Sequence, residues 1–225
     1  MRALTCSCVT LDLDDTLFLE RDYVQSGFRA VGRWLSATHG VTGFEDAAWR
    51  LFEEGVRGTT FDHAAAACGF DASPDLIAEM VSRYRAHRPD VRLLDDAKTA
   101  LTCLRADVIR LAVVTDGPLE SQQAKAGAVG APEWAHPLVF TATLPPGHTK
   151  PSPEPFRLVE RATGHGGPAC VYVADNPAKD FAGPKALGWR TVRVKRPGSL
   201  HEAAPSGPDV DIELLDMTGL AKALK

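Results

Sequence analysis

Four short runs rich in β-branched residues punctuate the chain: Val9 to Leu13, Val108 to Thr115, Val171 to Ala174 and Thr191 to Val194. Each is bounded by Asp, Gly or Pro, the pattern of strands buried on both faces of a parallel sheet. A weaker fifth run spans Leu138 to Thr141. Between the runs, apolar positions recur at helical spacing from Asp95 to Arg105, Leu119 to Ala128, Pro153 to Thr163 and Asp180 to Leu187. Strands alternating with helices of this length predict repeated βαβ units, and hence a doubly wound α/β fold with a parallel sheet.

Residues 19–94 break that alternation. They hold no convincing strand but show helical patterns at Tyr23 to Ala37, Phe44 to Glu54, Thr60 to Cys68 and Pro74 to Arg85, separated by glycines. The expected division is an α/β core of residues 1–18 and 95–225 with an all-helical cap, residues 19–94, inserted after the first strand. An insert that leaves and re-enters near the C-terminal end of a strand belongs at the sheet edge where open α/β folds bind ligands. Pro197 to Pro208 reads as a surface loop, followed by a short helix around Met217 to Leu224.

Composition narrows the function. The 225 residues are 44% apolar and 24% charged with a formal net charge of -4, which points to neither nucleic acid nor a membrane surface as partner. Residues 1–10 lack the regions of a signal peptide, and no apolar run approaches the ~20 residues of a membrane span. A cytoplasmic location is expected. Five cysteines, an odd number, argue for reduced and mostly buried thiols rather than a disulfide framework. Cys6 and Cys8 have no matching Cys or His pair downstream, so they read as core thiols rather than half a metal site.

The chemistry concentrates behind the strands. In "VTLDLDDTLF", Leu11 and Leu13 alternate with Asp12 and Asp14, which places both aspartates on one side of the strand end, with Asp15 facing away. Carboxylates so close repel unless cations screen them or one stays protonated. Behind the second strand comes "VVTDGP", with Thr115 beside the turn Asp116-Gly117 that opens a helix, a place where backbone N–H groups can bind an anion. Next come "GHTKPSPEPF", which carries Lys150, and "VADNPAKDF", which carries Asp175 and Asp180. In a parallel sheet the strands' C-terminal ends converge on one crevice.

Four such motifs in order resemble the haloacid dehalogenase superfamily of hydrolases, a large phosphatase group with a Rossmann-like core. DxDxT is met by Asp12, Asp14 and Thr16, the hydroxyl of motif two by Thr115, the lysine of motif three by Lys150, and the acidic pair of motif four by Asp175 and Asp180. The helical insert resembles the family's first type of cap. The resemblance implies Asp12 as the nucleophile that forms an aspartyl-phosphate, and Asp14 as the acid toward the leaving oxygen and the base toward water. It implies Mg²⁺ held by Asp12, the Asp14 backbone carbonyl and Asp175. Thr115, Asp116 and Lys150 would form the phosphate-binding set, with Lys150 offsetting charge on Asp12. Asp180 would orient Lys150 or a metal-bound water, and Asn176 is either a metal or water ligand or a turn residue.

Two departures from the family pattern stand out: Asp116 where Asn is common and Ala174 where Gly is common. The Asp116 side chain is expected to cap the following helix. The expected partner is a small phosphorylated metabolite acted on by a monomer or homodimer. Asp14 argues against carbon–halogen hydrolysis. A phosphomutase is the nearer rival, and a non-catalytic binding protein of the same fold a more distant one. Substrate choice falls to the cap, where Arg21 is the best single candidate among Arg57, His63, Arg85, His87 and Arg88, and His148 lies two residues before Lys150.

Overall fold

The computed structural model describes residues 6–107 and 109–225. Val108, the first residue of the expected second strand, lies outside them. Six strands among the described residues form one parallel sheet: β1 (Cys8–Leu11), β2 (Arg110–Thr115), β3 (Leu138–Phe140), β4 (Cys170–Ala174), β5 (Arg190–Val194) and β6 (Ile212–Leu214). Their order is β3-β2-β1-β4-β5-β6. The chain builds outward from β1 to β3 and then crosses back to lay β4 on the other side of β1. This doubly wound, Rossmann-like topology puts its switch point at the C-terminal end of β1.

Every residue of β1 and β4 is buried, which explains why both read as unbroken apolar runs. On one face Cys8, Ala112, Val114, Tyr172 and Ala174 pack with Phe156, Phe181 and Trp189. The helices are α1 (Glu20–His39), α2 (Phe44–Glu53), α3 (Thr60–Ala67), α4 (Pro74–Ala86), α5 (Asp95–Ala106), α6 (Leu119–Ala128), α7 (Ala131–Trp134), α8 (Glu154–Thr163), α9 (Ala182–Ala186) and α10 (Leu220–Ala223). No helix among the described residues is long and apolar enough to cross a membrane. The described residues fall into two compact units, one of those up to 20 together with those from 91 onward and one of residues 21–90.

Two points differ from the sequence reading. First, β1 ends at Leu11 rather than Leu13, because the chain turns at Asp15, a non-glycine residue at φ 53°. Second, β6 was hidden by its length, three residues with an exposed Glu213 in the middle. The cysteines agree with expectation: Cys6, Cys8 and Cys170 are buried, Cys68 is half-buried, Cys103 is exposed, and all five are free thiols.

The 21–90 unit is organised by aromatic rings. Phe28 packs edge-on against Phe61 at 6.0 Å between centroids, Phe61 against Tyr84 at 5.6 Å, and Tyr84 against Tyr23 at 5.6 Å. Gly27 on α1 makes room for this cluster: a Cβ there would lie 2.4 Å from Tyr84 Cε2. Alanine normally stabilises a helix interior relative to glycine. Here the ring cannot retreat without disturbing its neighbours, so Gly27→Ala should lower stability by about 1–3 kcal/mol. Urea unfolding followed by circular dichroism checks this, and a gain in stability would contradict it.

Candidate active site

Asp12, Asp116 and Asp175 follow directly on the C-terminal ends of β1, β2 and β4, and Thr115 is the last residue of β2. The Asp12 backbone N–H continues the ladder to the Val173 carbonyl at 2.9 Å, which fixes where its side chain emerges. Lys150 comes from the loop before α8 and is fully shielded. Its ammonium lies 3.1 Å from Asp12 Oδ2 and 2.6 Å from Asp180 Oδ1, and donates to the Tyr172 hydroxyl at 3.1 Å. The Tyr172 hydroxyl in turn donates to the Val114 carbonyl at 3.1 Å. Burial alone would push Lys150 toward neutrality, but Asp12 and Asp180 hold its pKa well above the ordinary lysine value.

Asp12, Asp175 and Asp180 each bring a carboxylate oxygen to a point where all three lie within 4.8 Å of one another. Burial is the main cause that pushes Asp175 up to about 9, with Asp180 and Asp12 adding to it. Asp12 Oδ1 and Asp175 Oδ2 are buried with no hydrogen-bond partner among the described residues. Two orphaned carboxylate oxygens facing one spot form a donor set suited to a hard divalent cation. Asp180 differs, since its Oδ1 is taken by Lys150 and its Oδ2 accepts the Asn176 N–H at 2.8 Å. Both of its oxygens are spent on orienting its neighbours.

Asp14 lies beyond the end of β1 at Leu11, so strand alternation does not set the direction of its side chain. Its carboxylate instead turns to α6, where Lys125 lies 2.7 Å from Oδ1 and 2.9 Å from Oδ2 and Gln122 Nε2 donates to Oδ2 at 3.0 Å. The Gln122 carbonyl in turn accepts from Thr115 Oγ1 at 2.9 Å. Gly117 permits this approach twice over: its φ is 143°, and a Cβ there would lie 2.7 Å from Gln122 Nε2. Lys125 is a buried cation that sequence reasoning missed. The signal was present, since Gln122 and Lys125 are three apart and share one face of a helix that opens at the Asp-Gly turn.

Asp116 does not cap α6, whose first turn receives no side-chain cap. Its Oδ1 accepts from the Thr141 hydroxyl and from the Lys150 N–H at 3.4 Å, and Lys179 lies 4.0 Å from Oδ2. The extra carboxylate thus ties the loop after β2 to the turn after β3 and to the Lys150 loop. Asn176 acts as a turn residue: its side-chain oxygen accepts the Ala178 N–H at 3.0 Å, and its amide nitrogen donates to His201 Nε2 at 2.9 Å. Asp15 is buried, and its carboxylate accepts from the backbone N–H groups of Glu20 and Leu200, both at 2.8 Å. Burial pushes it up to about 6.

The expected surface loop from Pro197 to Pro208 is therefore part of the site's support. Its Leu200 N–H reaches Asp15 and its His201 reaches Asn176. His148 is half-buried, and its backbone N–H donates to the Pro145 carbonyl at 3.1 Å. In the 21–90 unit, Arg21 pairs with Glu53 at 2.6 Å and lies over Trp49. Arg57 is spent on the Phe52 and Val56 carbonyls. His87 is buried against the Ser26 hydroxyl and the Tyr84 carbonyl.

Comparison with known proteins returns the same group. The family model described as haloacid dehalogenase-like hydrolase matches residues 6–188. The glyceraldehyde 3-phosphate phosphatase of Methanopyrus kandleri is 28% identical over 225 residues, covering 93% of this chain and 95% of that protein. The enolase-phosphatase E1 of Streptomyces avermitilis is 32% identical over 109 residues, 46% of this chain and 43% of that protein. Among solved structures, a HAD-superfamily hydrolase of Geobacter sulfurreducens superposes with a TM-score of 0.70 at 16% identity, covering 99% of this chain and 98% of that one.

The raised carboxyls make stability depend on pH. Asp175 and Asp15 bind their protons more tightly folded than unfolded, so each loses stability as pH climbs from the ordinary carboxylate value, about 4, toward about 9 and about 6 respectively. His201, lowered first by burial, acts in the opposite sense around the imidazole range. Asp96 and Asp211, both held low, have given their full contribution above about pH 4. In chelator, the thermal midpoint should fall between pH 6 and pH 9, and a divalent cation should reverse much of the fall. A midpoint that is flat or rises over that range would contradict the assignment.

Proposed function

The chain belongs to the haloacid dehalogenase-like hydrolases, and from that membership we propose that it is a Mg²⁺-dependent phosphatase, releasing inorganic phosphate from a small phosphorylated metabolite. The observation that carries the reading is the division of two nearby aspartates between separate environments. Asp12 sits in the shielded cluster with Lys150, Asp175 and Asp180, whereas Asp14 is held by Gln122 and Lys125. A dehalogenase needs only the first.

In this reading Asp12 attacks phosphorus to form an aspartyl-phosphate. Lys150 holds one oxygen of Asp12 and keeps the other turned toward the crevice. Asp14 donates a proton to the leaving oxygen and then accepts one from the water that hydrolyses the intermediate. Lys125 stabilises the ionised form that takes up the water's proton, and Gln122 fixes its direction. Thr115 and the N–H groups of its loop bind the phosphate, for which the Thr115 hydroxyl turns from Gln122 to the substrate. Mg²⁺, held by Asp12, the Asp14 carbonyl and Asp175, would neutralise charge on the transferring group. The two orphaned oxygens of Asp12 and Asp175 support this assignment.

The name of the Methanopyrus relative favours short sugar phosphates as substrates. The five free thiols suit a reducing compartment, so we place the enzyme in the cytoplasm, as a monomer or homodimer. Residues 21–90 serve as the cap that sets specificity.

A panel of glyceraldehyde 3-phosphate, hexose phosphates, phosphoglycolate and nucleoside monophosphates, each with Mg²⁺, tests the reading. The expected result is Mg²⁺-dependent release of inorganic phosphate. Isomerised sugar phosphate without free phosphate would assign a phosphomutase instead. Asp12→Asn should lower kcat/KM by at least about 10³-fold with the fold retained, and activity equal to the wild type would remove Asp12 as nucleophile.

A further inference from the structure

Arg193, on β5, is as deeply shielded as any hydrophobic core residue. It pairs in register with Ala174, the residue before Asp175. Its guanidinium donates from Nε to the Asp175 carbonyl at 3.0 Å, from one terminal nitrogen to the Ala204 carbonyl and the Ser206 hydroxyl, both at 2.8 Å, and from the other to the His201 carbonyl at 2.7 Å. The carboxylate beside it is Glu213, 3.9 Å away and itself well exposed. A buried guanidinium is expensive to desolvate, and here its rigid fork is used on main-chain oxygens. Such an arrangement holds backbone in place.

Two further bonds show what is held. The segment Arg193 grips, residues 199–206, also donates the Leu200 N–H to Asp15 and meets Asn176 through His201. It therefore straps the loop after β1 to the loop after β4, whose residues Asp12 and Asp175 carry the orphaned oxygens. We propose that Arg193 is a positioning residue which, through this strap, preorganises the metal site. The proposal rests on the metal reading above. Groups one step removed from metal ligands commonly govern affinity about 10- to 100-fold.

Isothermal titration of the full chain with Mg²⁺ tests it. Arg193→Met should raise the Mg²⁺ dissociation constant about 10- to 100-fold. It should also speed amide hydrogen exchange in residues 199–206, and its activity should recover at high Mg²⁺, which a merely structural lesion would not. A folded Arg193→Met protein with wild-type Mg²⁺ affinity would overturn the proposal while leaving the phosphatase reading intact. If Arg193→Met does not fold, the double variant His201→Ala, Ser206→Ala loosens the same strap. It should weaken Mg²⁺ binding about threefold or more, and unchanged affinity would overturn the proposal. A wild-type protein that binds no Mg²⁺ would overturn the metal reading and this one together.

Discussion

The arrangement depends on one shielded ammonium, that of Lys150, shared between Asp12 and Asp180. Breaking a buried ion pair by removing one partner costs about 3–5 kcal/mol, because the other charge is left uncompensated. The sheet topology forces the groups together: β1 lies between β2 and β4, so the residues after their C-terminal ends must converge. Tyr172 on β4, which takes a hydrogen bond from Lys150 and gives one to β2, links the same three strands beneath the cluster.

Lys150 does not balance the cluster alone. Asp12, Asp175 and Asp180 bring three carboxyls to one buried point, and a single ammonium leaves about two negative charges if all ionise. Burial is the main cause of the raised Asp175, and beside the two unpartnered oxygens the repulsion from Asp180 and Asp12 adds the effect of that deficit. A divalent cation meets it in sign, charge and donor preference. Asp14 stands outside this account because Lys125 balances it separately. In the proposed mechanism two aspartates separated by one residue, each paired with its own lysine, serve as nucleophile and proton carrier.

Much of this was legible in the sequence. Strands buried on both faces are rich in apolar and β-branched residues, so β1, β2 and β4 announced themselves, β5 did so through Thr191, Val192 and Val194 despite its buried Arg193, and Leu119–Ala128 was read to the residue. Asp12, Thr115 and Asp175 stand at or directly beyond strand ends, whereas Lys150 lies in the loop between β3 and α8. What escaped notice depends on tertiary context. Lys125 reads as a solvated helix charge until α6 is laid beside Asp14. Asp116 reads as a helix cap until the Lys150 loop folds over it. Pro197 to Pro208 has a loop's composition, and only the buried Arg193 turns it into a strap. The half-polar β6 pairs because β5 offers it an edge, not because its residues prefer a strand.

The central claim is that Asp12 attacks phosphorus and carries the phosphoryl group. Borohydride reduces an acyl phosphate to the alcohol but leaves a free carboxylate untouched. Quenching the enzyme with borohydride during turnover, then mapping the peptide that contains residue 12 by mass spectrometry, therefore tests it most directly. The account predicts homoserine at position 12, dependent on substrate. Phosphate release with Asp12 left unmodified, or with homoserine at Asp14 or Asp175 instead, would contradict it.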